Sequence, residues 1–243
     1  MLTVSLQVRS QGKLQSFEHF LPYVQGKHGL EIGGPSDIFQ KGKVLPIYPE
    51  IGQLDNCDFS KSTVWAKHSE KFVFDPNKSP GNAIFCDGSN LVDVPDSTYD
   101  ILLSSHNLEH FANPIKALKE WQRVLKPVGA LVLVLPYYQA TFDHRRRPTS
   151  VDHMFDDFSR NIGEDDLTHL DEILEKHDLR MDPPAGSKED FHKRSINNYS
   201  NRCLHHHVFD KRNSRELLVR VGFKVLSVYL ALPHHICILA STI

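Results

Sequence analysis

Two seven-residue stretches, YDILLSS at 99–105 and ALVLVLP at 130–136, are almost unbroken aliphatic runs, and a helical pattern, NPIKALKEWQRVLKP, lies between them. A strand that is apolar on both faces must be covered on both faces, which is the condition of a central strand in a parallel sheet. The intervening segment places Ile115, Leu118, Trp121, Val124 and Leu125 on one stripe. It opens at Asn113-Pro114 and stops at Pro127-Val128-Gly129, the polarity expected of helix ends. A strand, a crossover helix and a second buried strand make a right-handed βαβ unit.

The same alternation extends to both sides. Gly29–Ile32, QLDNCDF at 53–59 and NAIFCD at 82–87 are further strand candidates, short and bounded by Gly, Pro or Asp. After a helix-like SRELLVRVG, the runs FKVLSVYLAL and HICILAST are separated only by Pro233-His234, too short for a helical crossover, so they pair as an antiparallel hairpin at a sheet edge. Near the amino end, Leu14, Phe17, Phe20 and Leu21 have helical spacing and predict an amphipathic helix within residues 1–25. The segment 137–222 is far longer than a minimal crossover and predicts a helical insertion over the sheet, a lid that selects the substrate. With no internal repeat and no linker, residues 1–243 read as one elaborated domain.

Composition narrows the function. Net charge is −2, from 28 basic and 30 acidic side chains, which leaves no electrostatic footprint for nucleic acid or an anionic membrane. The sequence shows neither an apolar run of spanning length nor a secretory signal, and a cytoplasmic location is expected. Cys57, Cys86, Cys203 and Cys237 form no CxxC pair and are expected to be free thiols. Histidine is the outlier, 15 residues in 243, several of them clustered.

The motif order carries a resemblance. GLEIGGPSDIF ends the first strand and leads toward a possible helix; CDGSNL, PDSTYDILLSSHNLEH and LKEWQRVLKPVGALVLVLP follow in turn. From about Gly29 to Pro136 this resembles class I S-adenosylmethionine-dependent methyltransferases, and most closely the methyltransferase type 11 group. The resemblance implies a Rossmann-like, doubly wound α/β fold with a mostly parallel seven-stranded sheet, S-adenosylmethionine as cofactor, and methyl transfer to a small-molecule acceptor through oxygen or nitrogen. It also implies that Glu31, Gly33 and Gly34 form the loop facing the methionine part of the cofactor; Pro35 stands where the family usually has glycine. An acid at the end of the second strand would hold the ribose. Asp55, 22 positions after Gly33, has the spacing for that role, with Asp58 as its rival. Asp87, with Gly88 and Ser89, matches the acid loop beside the adenine, and Ser105 and His106 follow the fourth strand at the carboxyl end of the sheet. Glu109 and His110 complete LEH, where a packed or helix-starting histidine is the simpler reading.

For a general base, histidine is the residue type suited to neutral pH. His106, His144 and His153 are the first candidates, then His206. Arg145, Arg146 and Arg147 beside His144 offer either an anion fork or a solvated basic turn, and Ser150 or Thr149 can cap the helix of SVDHMFDDF. EDDLTHLDEILEKHDL predicts an amphipathic helix through Leu167, Leu170, Ile173 and Leu174. Consecutive His205, His206 and His207 cannot all face one ion, so no metal is assigned. The competing readings are a non-catalytic scaffold or sensor that binds the cofactor or its product, and a nicotinamide-dependent oxidoreductase, against which the missing GxGxxG argues.

Overall fold

The computed structural model describes residues 6–7, 13–62 and 69–243. Seven strands carry one sheet: β1 (His28–Ile32), β2 (Gln53–Asp58), β3 (Gly81–Phe85), β4 (Tyr99–Ser105), β5 (Leu125–Pro136), β6 (Lys224–Ala231) and β7 (His235–Ser241). They lie in the order β6-β7-β5-β4-β1-β2-β3, with two-residue strands Leu6–Gln7 beside β6 and Lys71–Phe72 beside β3. β1 to β5 are parallel, and β7 runs antiparallel to both β5 and β6. This is the mixed, mostly parallel α/β sheet with a terminal hairpin that the sequence predicts. The connections reverse direction between β1 and β4, the position at which open α/β sheets form a ligand crevice.

Alternation along the central strands divides the core into two. Leu102, Leu131, Leu133 and Leu135 point to one face, where α1 (Pro114–Val124) and α5 (Lys211–Val221) bring Leu118, Trp121, Leu217 and Leu218. Ile101, Leu103, Val132 and Val134 point to the other, against Phe17, Phe20, Phe39, Ile47 and Tyr48. α1 begins where the Asn113 side chain accepts a bond from the Lys116 amide, and α5 ends at Gly222, whose φ of 109° a side chain would strain.

The second face departs from the expected layering. The amphipathic helix predicted within 1–25 is instead a 3₁₀ turn, Phe17–His19, followed by one α-turn, Leu21–Val24. Pro22 has no amide to continue a helical ladder back into the preceding turn. Leu14, Phe17 and Phe20 are buried as the periodicity predicts; residues 1–5 and 8–12 lie outside the described residues. The possible helix after GLEIGGPSDIF is a single 3₁₀ turn, Asp37–Phe39.

Between β5 and β6 the chain forms α2 (Val151–Ser159), α3 (Leu170–Lys176) and α4 (Lys188–Ile196). Ser150 caps α2, as read from sequence. The long helix expected over EDDLTHLDEILEKHDL is only the seven residues of α3, and its Leu167 is exposed. Ile173 packs with Ala185, Phe191 and Leu204 in a small core of the insertion's own. Cys57, Cys86, Cys203 and Cys237 are all free. Among the described residues, no helix is long and apolar enough to cross a membrane.

Trp121 links this packing to the loop after β3. It is fully buried, and its indole N–H donates to the Gly88 carbonyl at 2.9 Å. Trp121→Ala should cost about 3–5 kcal/mol. Trp121→Phe, which leaves the Gly88 carbonyl unpaired, should cost about 1–3 kcal/mol. Both should appear as lower urea midpoints at constant slope.

Candidate active site

A cavity of about 950 Å³ opens at the carboxyl ends of β1, β2 and β4. The sheet side contributes Ile32 to Pro35, Cys57 to Phe59, Asp87 and Gly88, and residues of the 106–111 segment. Phe142, Asp182, Arg194, Arg202, Cys203 and His205 close it from the insertion.

The loop after β1 is built for close approach. Gly33 has φ of 77°, and a Cβ there would lie 2.6 Å from Asn107 Nδ2; the Asn107 amide meanwhile donates to the Ile32 carbonyl. A Cβ on Gly34 would lie 2.4 Å from the Glu31 carboxyl, and the Gly34 amide donates to Asn56 Oδ1 at 2.8 Å. Glu31 itself is fully buried behind the loop and accepts bonds from the Tyr48 hydroxyl at 2.7 Å and the Ser36 amide at 3.2 Å. Burial raises its pKa to about 7, against the lowering effect of those bonds.

The two candidates for the second-strand acid separate cleanly. Asp55 accepts from the Asn82 amide and the Tyr99 hydroxyl and is 3.1 Å from His28 Nε2. His28, Asn82 and Tyr99 all sit at the amino ends of their strands, opposite the cavity. Asp55 therefore ties the far edge of the sheet together, and the expectation drawn from its spacing is corrected. Asp58 lines the cavity. The parallel register aligns Ile32 with Cys57, so Asp58 is level with the glycine loop while Asp55 pairs with Leu30.

Asp87 and Gly88 line the cavity too, with Ser89 buried behind them and donating to Asp87 Oδ1 from both its amide and its hydroxyl. Arg202 reaches across from the insertion to Asp87 Oδ2 at 3.2 Å and to Glu164 at 3.1 Å. Sequence reading missed Arg202 because 115 residues separate it from Asp87; only the folded insertion brings them together.

Of the four histidines read as candidate bases, only His106 reaches the cavity. It stands 2.9 Å from His235, and burial lowers its pKa to about 3, which leaves it neutral but a poor proton acceptor. Ser105 is absent from the cavity wall. His144 folds back on its own turn toward the Thr141 carbonyl, and His206, almost fully buried, pairs with Asn198. His153 lies in a separate cluster with Asp157, His169 and His207. These three are corrected as cavity residues, because helix and turn packing point them elsewhere.

His205 takes the place they were given. It lines the cavity, with Nδ1 donating to Asp143, whose other oxygen accepts from Arg146 at 3.0 Å. Burial would lower the His205 pKa, but the Asp143 carboxylate raises it; burial would raise that of Asp143, but His205 and Arg146 hold it at about 2. Glu109 is buried on the same wall, and neither of its carboxylate oxygens has a hydrogen-bond partner. Burial raises its pKa to about 7. One donor atom from each of Glu109, His110 and His205 lies within 4.8 Å of the other two.

Residues 41–133 match the family described as methyltransferase domain. That stretch, from the glycine-loop side of the sheet to within β5, is similar to a methyltransferase domain. A curated protein named Probable methyltransferase ltbC, from Aspergillus luteorubrus, is 35% identical over 119 residues, 46% of this chain. The chain spans 41% of the length of that relative. Among solved structures, an S-adenosylmethionine dependent methyltransferase from Mesorhizobium loti superposes with a TM-score of 0.53 at 14% identity, over 93% of this chain and 95% of that one. The trans-methyltransferase CalH in complex with SAH superposes with a TM-score of 0.50 at 15% identity, over 93% of this chain and 54% of that one. These two likenesses show the fold alone.

Glu31 supplies a pH signature. Its pKa is raised on folding from 4.5 to about 7, so the stability tied to its protonated form is complete below about 4.5 and lost as pH rises through 7. Relative to Glu31→Gln, the native chain should lose on the order of 3 kcal/mol across that window, at about 1.36 kcal/mol per pH unit. Urea midpoints of both chains on either side of the window measure it.

Proposed function

We propose that this protein transfers a methyl group from S-adenosylmethionine to the oxygen or nitrogen of a small-molecule acceptor, with Asp58 on the cofactor side and His205 on the acceptor side. The observation that carries this reading is the cavity itself. One wall is the glycine loop and the acids of the methyltransferase fold, and the opposite wall is an oriented Asp143–His205 pair from the insertion.

The residues present fit the cofactor. Gly33 and Gly34 are held where side chains would clash, and Asp58 and Asp87 stand at successive strand ends with Ile32, Phe59 and Phe111 as apolar neighbours. Asp58 offers a carboxylate to ribose hydroxyls, which takes short charge-assisted bonds. Asp87 keeps acceptor capacity toward an amino group at Oδ2, where Arg202 makes one contact, while the Ser89 amide and hydroxyl both occupy Oδ1. Glu31, behind the glycine loop, favours a cationic ligand group there, which in turn would keep the carboxyl ionised. S-adenosylmethionine supplies an already electrophilic methyl group, so the main task left to the protein is alignment, which can recover roughly 7–11 kcal/mol of barrier.

His205 accepts the proton that a hydroxyl or ammonium acceptor must lose. With Nδ1 donating to Asp143, its lone pair is on Nε2, and Arg146 keeps Asp143 ionised to receive that bond. The insertion acts as the lid: Arg202 bridges it to Asp87 and Glu164, joining the acceptor wall to the cofactor wall.

Calorimetric titration with S-adenosylmethionine and S-adenosylhomocysteine tests the cofactor half. Both should bind, and Asp58→Asn should weaken binding at least tenfold, about 1.4 kcal/mol. Asp55→Asn should leave affinity within about twofold, because only stability depends on it. Absence of binding near millimolar ligand, or equal losses in the two variants, would sink the assignment. For the acceptor half, release of S-adenosylhomocysteine is followed across a panel of small alcohols, phenols and amines. His205→Gln should lower turnover of an active acceptor by about 10²–10⁴ while cofactor affinity holds. Unchanged turnover would remove the base.

A further inference from the structure

Away from the cavity, the insertion contains a second cluster that the methyl-transfer reading does not use. His153 and Asp157 lie four residues apart on α2 and so share one face of that helix. His169 comes from the turn that opens α3, and His207 from the segment leading to α5. One donor atom from each of the four lies within 4.8 Å of every other. Spacing alone assigns no metal to these residues, since 16 positions separate His153 from His169 and 38 separate His169 from His207.

Hydrogen bonding does not account for the arrangement. His153 Nε2 stands 3.1 Å from His169 Nε2 and 3.3 Å from Asp157 Oδ2, yet a single N–H can serve only one of them. Asp157, with its side chain 4% exposed, keeps Oδ2 without a hydrogen-bond partner. His207 is fully buried; its Nε2 meets the Ala112 carbonyl at 3.1 Å and its Nδ1 has no partner. A buried polar atom left without a partner forfeits its hydration with nothing in return. Three imidazoles and a carboxylate that converge with more lone pairs than N–H groups are what a divalent cation satisfies.

We propose that His153, Asp157, His169 and His207 form a closed, four-coordinate site for Zn²⁺ that staples the insertion together. Zinc takes imidazole and carboxylate ligands at about 2.0–2.1 Å, so a tetrahedron places its donors about 3.3 Å apart. The two short donor separations, 3.1 and 3.3 Å, have that spacing. Four protein ligands leave no open position, the pattern of a structural rather than a catalytic ion. The ion joins α2, the start of α3 and the 204–208 segment, and His205 is two residues from one ligand. Removing the metal therefore loosens the wall that carries His205. The site stands independently of methyl transfer, because its ligands lie outside the cavity.

The full-length protein is purified, dialysed and measured for metal by mass spectrometry, then stripped with chelator and titrated with Zn²⁺ and Co²⁺. One zinc per chain is expected, with the intense visible bands of tetrahedral Co²⁺ after exchange and a higher Tm for the zinc form. His169→Gln and Asp157→Asn, each checked for native circular dichroism, should lose zinc affinity at least tenfold, whereas His205→Gln should retain one equivalent. If a variant does not fold, the stripped and reloaded native chain still decides the matter through stoichiometry and the Co²⁺ spectrum. No stoichiometric zinc in the reloaded native chain would overturn the proposal, as would an octahedral Co²⁺ spectrum. So would loss of the metal in His205→Gln with retention in His169→Gln, which would move the ion to the cavity.

Discussion

Burial of β4 and β5 on both faces is the constraint from which the rest of the structure follows. Their aliphatic side chains alternate between two cores, so neither strand can sit at an edge or face water. Covering both faces requires crossover connections, and crossovers keep the strands parallel. Parallel strands present all their carboxyl ends on one side of the sheet. The glycine loop, Asp58, Asp87 and His106 therefore arrive at one crevice from four distant parts of the chain.

The sheet wall and the insertion wall of the cavity differ in how they are held. On the sheet side, position is set by backbone ladders and by packing beneath them: Trp121 grips Gly88, Asn56 and Asn107 grip the glycine loop, and Tyr48 holds Glu31. The insertion has only a small apolar core around Ile173, Phe191 and Leu204. It depends on polar connections instead, including Arg202 to Asp87 and Glu164, Arg146 to Asp143 and the His205 carbonyl, and the histidine cluster beside α2. A wall secured by so few apolar contacts gains most from a metal staple, since each polar link alone contributes little net stability.

The sheet was legible because a strand's apolar pattern and its length are local properties. Gly29–Ile32, 99–105, 130–136 and the terminal hairpin fall where the periodicity puts them, and α1 opens at its Asn-Pro signal; its end at Val124 comes earlier than expected, because Leu125 and Pro127-Val128-Gly129 already belong to β5. The layer on the second face was less legible. Leu14, Phe17 and Phe20 bury as predicted, yet they do so from short turns, because burial of a periodic stripe does not by itself require a continuous helix. Asp55 misled for a related reason. A count of residues from Gly33 locates an acid along the chain, but only the register of β2 against β1 decides which end of the sheet it faces.

By itself the sequence determined the sheet, the hairpin, the glycine loop and the acid loop after β3, all of which follow from short-range patterns of apolar, turn and acidic residues. The tertiary structure alone decided which histidine enters the cavity, that Arg202 meets Asp87, and that His153, Asp157, His169 and His207 converge. Those groupings join residues up to 115 positions apart on segments with little periodicity. Their meeting is set by how the insertion packs onto the sheet, a sum of many weak contacts that no local pattern records.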